Sequence, residues 1–161
     1  MKLKIAQFIN ILLLFLVAGV FWGTWFSLAR SITSITPETF LAIGQIMIGN
    51  LALPMSILMP IALLSTLPVL VLLYRQKAMS AFYLTLCGLA LFVIALVITL
   101  VLNVPIDNQI KQWTVQTLPP NWEAIRDRWE FYHVVRTFVS LSGLALIVGA
   151  ALIPRKAWDR S

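Results

Sequence analysis

The chain has 161 residues, of which 60% are hydrophobic and only 11% are charged. Soluble domains carry about a quarter charged residues, so this composition excludes an ordinary soluble protein and indicates an integral membrane protein. The net charge of +6 does not indicate a nucleic-acid partner, because Lys and Arg occur in short clusters beside apolar segments, as membrane topology signals do. The single cysteine, Cys87, excludes an intramolecular disulfide and a cysteine-based metal site.

Four apolar segments are long enough to cross a bilayer, which requires about 20 residues in a helix. They cover residues 5–29, 50–74, 80–103 and 132–153. The first continues through "VAGVFWGTWFSLA" without a small-x-small cleavage site, so we interpret it as a retained helix and not as a signal peptide. The sequence therefore predicts one all-α domain over residues 1–161, folded as a four-helix transmembrane bundle.

The cations predict the orientation of this bundle. They concentrate before the first segment, between the second and third, and after the fourth, at Lys2, Lys4, Arg75, Lys77, Arg155, Lys156 and Arg160. By the positive-inside rule this end is cytoplasmic. We therefore expect cytoplasmic N- and C-termini, an outer connection over residues 104–131, and a location in the cytoplasmic membrane of a bacterium, with the lipid bilayer as partner.

Small residues predict where the helices approach one another. Gly19 and Gly23 lie one turn apart in the first segment, and Ala145 and Gly149 form a similar pair in the fourth. Such small-xxx-small pairs allow a neighbouring helix to come close to the backbone. The connection "RQKAM" is so short that the second and third helices are expected to be antiparallel neighbours.

The second segment contains three prolines, Pro54, Pro60 and Pro68. Each removes a backbone donor and tends to kink a membrane helix, and the carbonyl groups that lose their partners need other donors or water. Distortion of this kind is compatible both with a cavity wall and with an ordinary membrane helix.

The third connection contains signals for both a helix end and a helix start. Pro105 predicts that the third helix ends at Asn103. In "LPPNWEA", Asn121 is a suitable N-cap residue, and no helix breaker follows until Pro154. The fourth helix is therefore expected to begin at Trp122, beyond the membrane on the outer side, and to enter it without interruption.

The start of this fourth helix carries a polar and aromatic stripe within about 80° of arc. Its members are Trp122, Arg126, Trp129, His133, Arg136 and Ser140. Ionisable residues within a membrane normally face the bundle interior or a water-filled cavity. The other segments place polar or aromatic residues at a similar depth, so we expect a chamber, open to the outer face, lined by His133, Arg136, Asn103, Asn50, Trp22, Trp25 and Trp129.

The same residues also have simpler interpretations. The tryptophans are typical of the interfacial belt, Arg136 can extend its charge to the interface, and a single histidine at a helix end often makes only structural hydrogen bonds. Haem or copper ligation by His133 is a further alternative, with Met47, Met55 and Met59 as the other ligands.

Two stretches of the chain resemble a known family. "NVPIDNQIKQW" and "NWEAIRDRWEFYHVVRT", set on four apolar segments with "GVFWG" in the first, are similar to the small membrane proteins of the DUF1772 or anthrone oxygenase-like family. The resemblance covers nearly the whole chain. One position departs from the family pattern, because Asp107 stands where members often have asparagine.

The resemblance implies an oxygenase that converts anthrones to anthraquinones with dioxygen and without a metal or other cofactor, although most members of the family have no assigned activity. On this interpretation His133 is the base, Arg136 stabilises the anion or peroxide, and Asn103 orients the substrate. The residues expected to bind a planar aromatic substrate are Trp129, Trp22, Trp25, Asn50 and Arg126. Two alternatives stay open: a non-catalytic membrane subunit or lipid-binding module with a structural His/Arg/Asn cluster, and a quinone- or haem-linked redox protein.

Overall fold

A computed structural model describes residues 1–27 and 29–154. This part of the chain is helical and contains no strand, so the predicted all-α class is confirmed. The helices are α1 (Lys2–Ser27), α2 (Pro37–Leu64), α3 (Thr66–Arg75), α4 (Met79–Ile98), α5 (Val104–Ile110) and α6 (Trp122–Leu152). A 3-10 helix (Ala29–Ser34) follows α1, and a π-helical turn (Thr99–Asn103) joins α4 to α5.

Four helical stretches within the described residues are long and apolar enough to cross a membrane, namely Lys2–Ser34, Pro37–Arg75, Met79–Ile110 and Trp122–Leu152. Large apolar side chains are exposed on all four, including Phe8, Leu53, Val101 and Phe138. Exposed apolar surface of this extent is typical of a lipid-facing protein. The chain therefore has the build of a multi-pass membrane protein.

The helices run up and down between two ends. At one end, which we call the terminal end, Leu3, Leu73, Ala81 and Ala150 form a single apolar cluster. The opposite end, which we call the site end, holds a cluster around Phe40, Ile110 and Trp129. Lys2, Lys4, Arg75 and Lys77 belong to the terminal end, whereas Arg155, Lys156 and Arg160 lie outside the described residues. Which end faces the cytoplasm stays a prediction.

The second membrane stretch begins much earlier than residue 50. Its first helix, α2, starts at Pro37, with Thr36 as N-cap and the Thr36 hydroxyl accepting from the Thr39 backbone N–H. Proline is favourable at the first helical position because its missing donor is not needed there. The stretch breaks at Ser65, one turn before Pro68, which cannot donate to the Leu64 carbonyl. Pro54 and Pro60 lie inside α2 without ending it.

The third helix does not end at Asn103, as the sequence had predicted from Pro105. Instead the chain continues through the π-helical turn into α5, and the Val104 N–H donates to the Thr99 carbonyl five residues back. The wider turn accommodates Pro105, which has no backbone N–H to donate, so the helix need not end before this proline. The continuous stretch 79–110, which we call the α4–α5 rod, carries Asp107 as part of a helix and not of a loop.

The closest helix approach occurs at glycines other than the predicted ones. A Cβ atom placed on Gly88 would lie 2.5 Å from Ile147 Cγ1 and 2.8 Å from the Gly143 carbonyl oxygen. By contrast, a Cβ atom at Gly19, Gly23 or Gly149 meets nothing within 4 Å. The prediction of close packing at those three glycines is therefore wrong, and α4 crosses α6 at Gly88 and Gly143.

The start of α6 agrees with the prediction. It begins at Trp122, after Asn121 in the N-cap position, and continues to Leu152, two residues before Pro154. The Asn121 side chain makes no capping hydrogen bond. Of the predicted stripe, five members are buried, Arg126, Trp129, His133, Arg136 and Ser140, and Trp122 is half-buried. The stripe faces the bundle interior, as predicted.

Candidate functional site

A cavity of about 450 Å³ lies between α1, α2, the α4–α5 rod and α6. Small-molecule sites typically have volumes of about 300–1,000 Å³. The walls from α2 and the α4 part of the rod are mostly apolar, with Met47, Leu51, Met55, Met59, Leu96 and Leu100. Most of the polar groups come from the rest of the rod and from α6, and they include Thr99, Asp107, Asn108, Lys111, His133 and Arg136. The cavity is thus mostly apolar on one side and polar on the other.

Arg136 is a buried cation on the polar side, with only 8% of its surface exposed. Its Nη1 donates to the Thr99 hydroxyl at 3.1 Å, and its Nη2 lies 2.7 Å from His133 Nδ1. The guanidinium also stacks 4.4 Å from the centre of the Phe21 ring. Among the described residues no carboxylate forms an ion pair with it, and Nε has no hydrogen-bond partner. Arg136 therefore brings to the cavity a positive charge that is not part of an ion pair.

Arg136 Nη2 lies close to both ring nitrogens of His133, at 2.7 Å from Nδ1 and 3.5 Å from Nε2. A guanidinium has only donors, so a neutral His133 ring can accept from it only with its unprotonated nitrogen. The other ring nitrogen then carries the proton and offers an N–H donor. The α6 helix holds the residue in place through Thr137, whose hydroxyl donates to the His133 carbonyl at 2.6 Å.

Trp129 links the histidine to the α4–α5 rod. Its ring centre lies 4.3 Å from that of His133, at an interplanar angle of 63°. Its indole Nε1 donates to Asp107 Oδ1 at 2.7 Å. Because α5 continues from α4, Asp107 is directed into the cavity, where the sequence had predicted only an outer connection. The carboxylate and the Arg136 guanidinium thus line one cavity without forming an ion pair.

Three of the predicted site residues, Trp129, His133 and Arg136, lie together in the cavity wall. Asn103 is fully buried beside them but does not line the cavity. Its Nδ2 donates to the Trp129 carbonyl at 3.4 Å, and its Oδ1 has no partner. Asn103 therefore lies outside the cavity lining and contacts the α6 backbone at Trp129.

The structure does not bring the remaining predicted residues to the cavity. Trp22 is 40% exposed and stacks on Phe26, because Phe21, one residue earlier, takes the inward position on α1. Trp25 packs edge-on against Phe138 on the exposed surface of the bundle. Asn50 is exposed, since the cavity face of α2 is the row that contains Ile48, Leu51 and Met55. The cavity is therefore not lined by Trp22, Trp25 or Asn50, in contrast to the predicted chamber.

Arg126 also lies outside the cavity. It is buried at the first turns of α6, where its Nη2 pairs with Asp127 Oδ1 at 2.8 Å and its guanidinium lies 5.0 Å from the Trp122 ring centre. Its charge is therefore already compensated by a neighbour on the same helix, unlike that of Arg136.

Sequence reasoning missed Asp107, Lys111 and Phe21 as cavity residues. The π-helical turn, which directs Asp107 inward, has no sequence signature apart from a proline that normally ends a helix. The spacing of Asp107 and Lys111, one helical turn apart, was an available signal that the helix continues. Phe21 belongs to an apolar run in which no periodicity distinguishes inward from outward positions.

The three methionines of the ligation alternative, Met47, Met55 and Met59, do line the same cavity as His133. Within residues 1–27 and 29–154, however, no three His, Cys, Asp or Glu side chains are grouped so that they could hold a metal ion. Methionine also suits a cavity for a planar ring, because its thioether is flexible and makes favourable contacts with aromatic systems.

Comparison with known proteins agrees with the resemblance seen in the sequence. The family model for anthrone oxygenase matches residues 49–146, which is more than half of the chain. The matched range includes the cavity residues Thr99, Asp107, Trp129, His133 and Arg136, but not α1. Comparisons with curated proteins and with solved structures find no match. The chain therefore belongs to the anthrone oxygenase family.

Proposed function

We propose that this protein is a membrane-embedded oxygenase that oxidises a planar hydroxyaromatic ketone of the anthrone type with dioxygen, without a cofactor. The observation that carries the proposal is Arg136, a buried cation without an ion-pair partner among the described residues, on the wall of a cavity whose opposite side is mostly apolar. A charge outside an ion pair is costly in a membrane interior, and it is typical of a functional site. Such a cavity suits an apolar ring system that becomes negatively charged during its reaction.

The substrate rings would lie between the methionines of α2 and the indole of Trp129. Aromatic faces and thioethers make favourable contacts with planar rings without requiring a specific substitution pattern. The carbonyl oxygen of the substrate would face His133 and Arg136. This arrangement orients the molecule by its polar end and leaves its apolar body in the apolar part of the cavity.

The two donors suit the anion formed when an anthrone loses a proton from its ring CH2 group. The negative charge of that anion resides largely on the carbonyl oxygen, and positioned donors in a water-poor site stabilise such an oxyanion strongly. Arg136 contributes its cation and His133 its ring N–H. The guanidinium beside both ring nitrogens favours a donor role for His133 over the role of base that the sequence suggested.

The overall reaction balances with dioxygen as the only oxidant. The anion passes one electron to dioxygen, and the resulting radicals combine to form a carbon–oxygen bond. Protonation gives a hydroperoxide, which loses the second hydrogen of that carbon as a proton while the O–O bond breaks. One oxygen atom remains as the new ketone and the other leaves in water.

Two alternatives compete with this proposal. In a structural cluster the His133–Arg136–Thr99 contacts would only hold α6 against the α4–α5 rod, but the adjoining cavity and the unpartnered Arg136 Nε favour a ligand. A quinone- or haem-linked redox protein is favoured only by the row of methionines. Near-stoichiometric iron or copper in the purified protein would support that redox alternative.

The proposed orientation follows from the charges. With Lys2, Lys4, Arg75 and Lys77 at the terminal end, that end is cytoplasmic by the positive-inside rule. The site end, with the 111–121 connection, then faces outward in the cytoplasmic membrane of a bacterium. The polar side of the cavity lies near this outer face.

The proposal is tested by oxygen uptake in proteoliposomes supplied with an anthrone. Wild type is expected to consume oxygen faster than protein-free vesicles and to form the anthraquinone. His133→Ala is expected to lower the rate about 100-fold, as the loss of one oxyanion donor does. Trp22→Phe, at an exposed position outside the cavity, serves as the matched control. Equal rates for wild type and His133→Ala would remove His133 from the mechanism, and a wild type without substrate-dependent uptake would overturn the proposed function.

A further inference from the structure

The proposed oxidation needs a group that accepts a proton from carbon, and the donor pair does not provide one. Both ring nitrogens of His133 lie within hydrogen-bond distance of Arg136 Nη2, at 2.7 and 3.5 Å, so a proton taken up by this ring would place a second cation beside the guanidinium. We propose that Asp107 is the proton acceptor of the reaction and that it acts through Oδ2 while Trp129 holds Oδ1. This inference rests on the proposed function and assigns a catalytic residue within the same site.

Asp107 is built into the cavity wall in a defined orientation. The indole N–H of Trp129 donates to Oδ1 at 2.7 Å, a short distance for an N–H···O hydrogen bond. No hydrogen bond to Oδ2 occurs within the described residues, and this oxygen is not sealed in the core. One oxygen is thus fixed and the other remains available to a molecule in the cavity.

The cavity offers no other carboxylate among the described residues that line it. The amide of Asn108 and the hydroxyl of Thr99 do not accept protons at physiological pH, and the lysine and arginine are cations. Asp107 is therefore the cavity group whose charged form can take a proton directly.

Cations lie near Asp107 on its own helix and on α6. Lys111, the C-cap residue of α5, lies one turn later, and Arg136 and His133 line the same cavity from α6. The α2 wall contributes apolar groups such as Met47 and Leu51, and α1 contributes Val20, Phe21 and Thr24. Because Asp107 and Arg136 form no ion pair, a substrate can bind with its CH2 group toward the carboxylate and its carbonyl toward the guanidinium.

The carboxylate takes part in three balanced proton transfers. It first removes a proton from the ring CH2 group, and the electron pair of the broken C–H bond remains on the substrate as the oxyanion. After dioxygen has bound to that carbon, the neutral carboxyl returns the proton to the terminal peroxide oxygen. It then takes the remaining C–H proton while the O–O bond breaks, and the departing hydroxide collects this proton as water.

Asp107→Asn is the matched variant, because the amide oxygen can still accept from Trp129 but cannot take a proton. At neutral pH we expect a turnover at least about 100-fold below wild type, the range for loss of a general base. The rate should recover as the pH rises to where the substrate ionises in water, because the anion then arrives already formed. Arg136→Met should not recover, since it lacks the stabilising charge.

An isotope measurement adds a readout that a structural role would not change. With substrate deuterated at the reacting carbon, Asp107→Asn should show a larger isotope effect than wild type at neutral pH and a smaller one at alkaline pH, where the first C–H bond is already broken in solution. Gln109→Ala, on the exposed side of α5, serves as the control for changes in this helix.

The outcomes separate this inference from the proposed function. A wild-type rate for Asp107→Asn at neutral pH overturns the role of Asp107 and leaves the oxygenase proposal intact. A loss without recovery at alkaline pH also overturns it, because an ionised substrate bypasses the first proton transfer and hydroxide can take the second proton from carbon. If Asp107→Asn does not accumulate in membranes, Asp107→Glu decides: it keeps a carboxyl group and is expected to retain activity within about tenfold, and inactivity of a folded Asp107→Glu overturns the inference.

Discussion

Burial of the Arg136 charge costs free energy in the folded protein, and the proposed reaction gives this residue a chemical role. Its guanidinium is buried, stacks on Phe21 and bonds to Thr99 and His133, yet no carboxylate forms an ion pair with it within the described residues. Burying an ion without a partner costs several kcal/mol, so a fold that needed only to be stable would favour an apolar side chain here. The position is therefore expected to oppose stability and to serve activity.

We expect Arg136→Met to leave the thermal midpoint in detergent unchanged or raised, while anthrone-dependent oxygen uptake falls at least about 100-fold. Methionine has a similar length and fills the space beside Phe21 without a charge. The comparison requires a thermal scan and an oxygen-uptake assay on the same purified samples.

A lower midpoint for Arg136→Met, by more than about 5 °C, would correspond to a loss on the order of 1–2 kcal/mol. That result would favour the structural cluster, in which Arg136 holds α6 against the α4–α5 rod. Wild type measured with and without a bound anthrone provides the reference for ligand-dependent stabilisation.

The residues of α6 could be predicted because the helix is uninterrupted. From Trp122 onward a single period of about 3.6 residues places Trp129, His133 and Arg136 on one face, and the structure confirms that this face is buried. Trp22 and Asn50 could not be placed in the same way. Their helices are apolar on all sides, so the sequence contains no phase that distinguishes inward from lipid-facing positions.

At the level of elements, the π-helical turn is the feature that sequence reasoning could not supply. A proline inside a helix ordinarily ends or kinks it, because proline has no N–H to donate to the carbonyl four residues earlier. The sequence interpretation followed that rule at Pro105. The structure instead widens one turn, Thr99–Asn103, and continues to Ile110. Gln45 then satisfies the end of α5, because its Nε2 donates to the carbonyls of Ile110 and Trp113 at 3.0 and 2.9 Å.

The crossing of α4 and α6 gives a stability prediction. Gly88→Ala is expected to destabilise the protein by about 1–3 kcal/mol, the usual cost of overpacking, because the added methyl group would overlap Ile147 and the Gly143 carbonyl. Gly149→Ala, on α6 in open space, is the control and should be neutral or slightly stabilising. Thermal unfolding of both variants in the same detergent measures the difference.

Equal stability of Gly88→Ala and Gly149→Ala would mean that α4 and α6 are not in backbone contact at this crossing. Because His133 and Arg136 are presented by α6 against the rod, Gly88→Ala is also expected to lower activity together with stability. The Gly149 variant should leave both unchanged.

For the whole molecule, the orientation in the membrane decides which side supplies the polar end of the cavity. Cysteine labelling in a Cys87→Ala background tests it, with Gln116→Cys at the site end and Gln76→Cys at the terminal end, both exposed. We expect a membrane-impermeant maleimide to label Gln116→Cys in intact cells and Gln76→Cys only after permeabilisation. The reverse pattern would place the site end in the cytoplasm.

The π-helical turn has a consequence for how the chemistry of this fold can change. In an α-helix each residue advances the chain by about 100°, and a π turn holds one residue more than the α-helix it interrupts. Without that residue, α5 would be rotated by about this angle, and the Asp107 carboxylate would leave the cavity wall. Deletion of the one codon that encodes this extra residue is therefore expected to remove the carboxylate from the cavity.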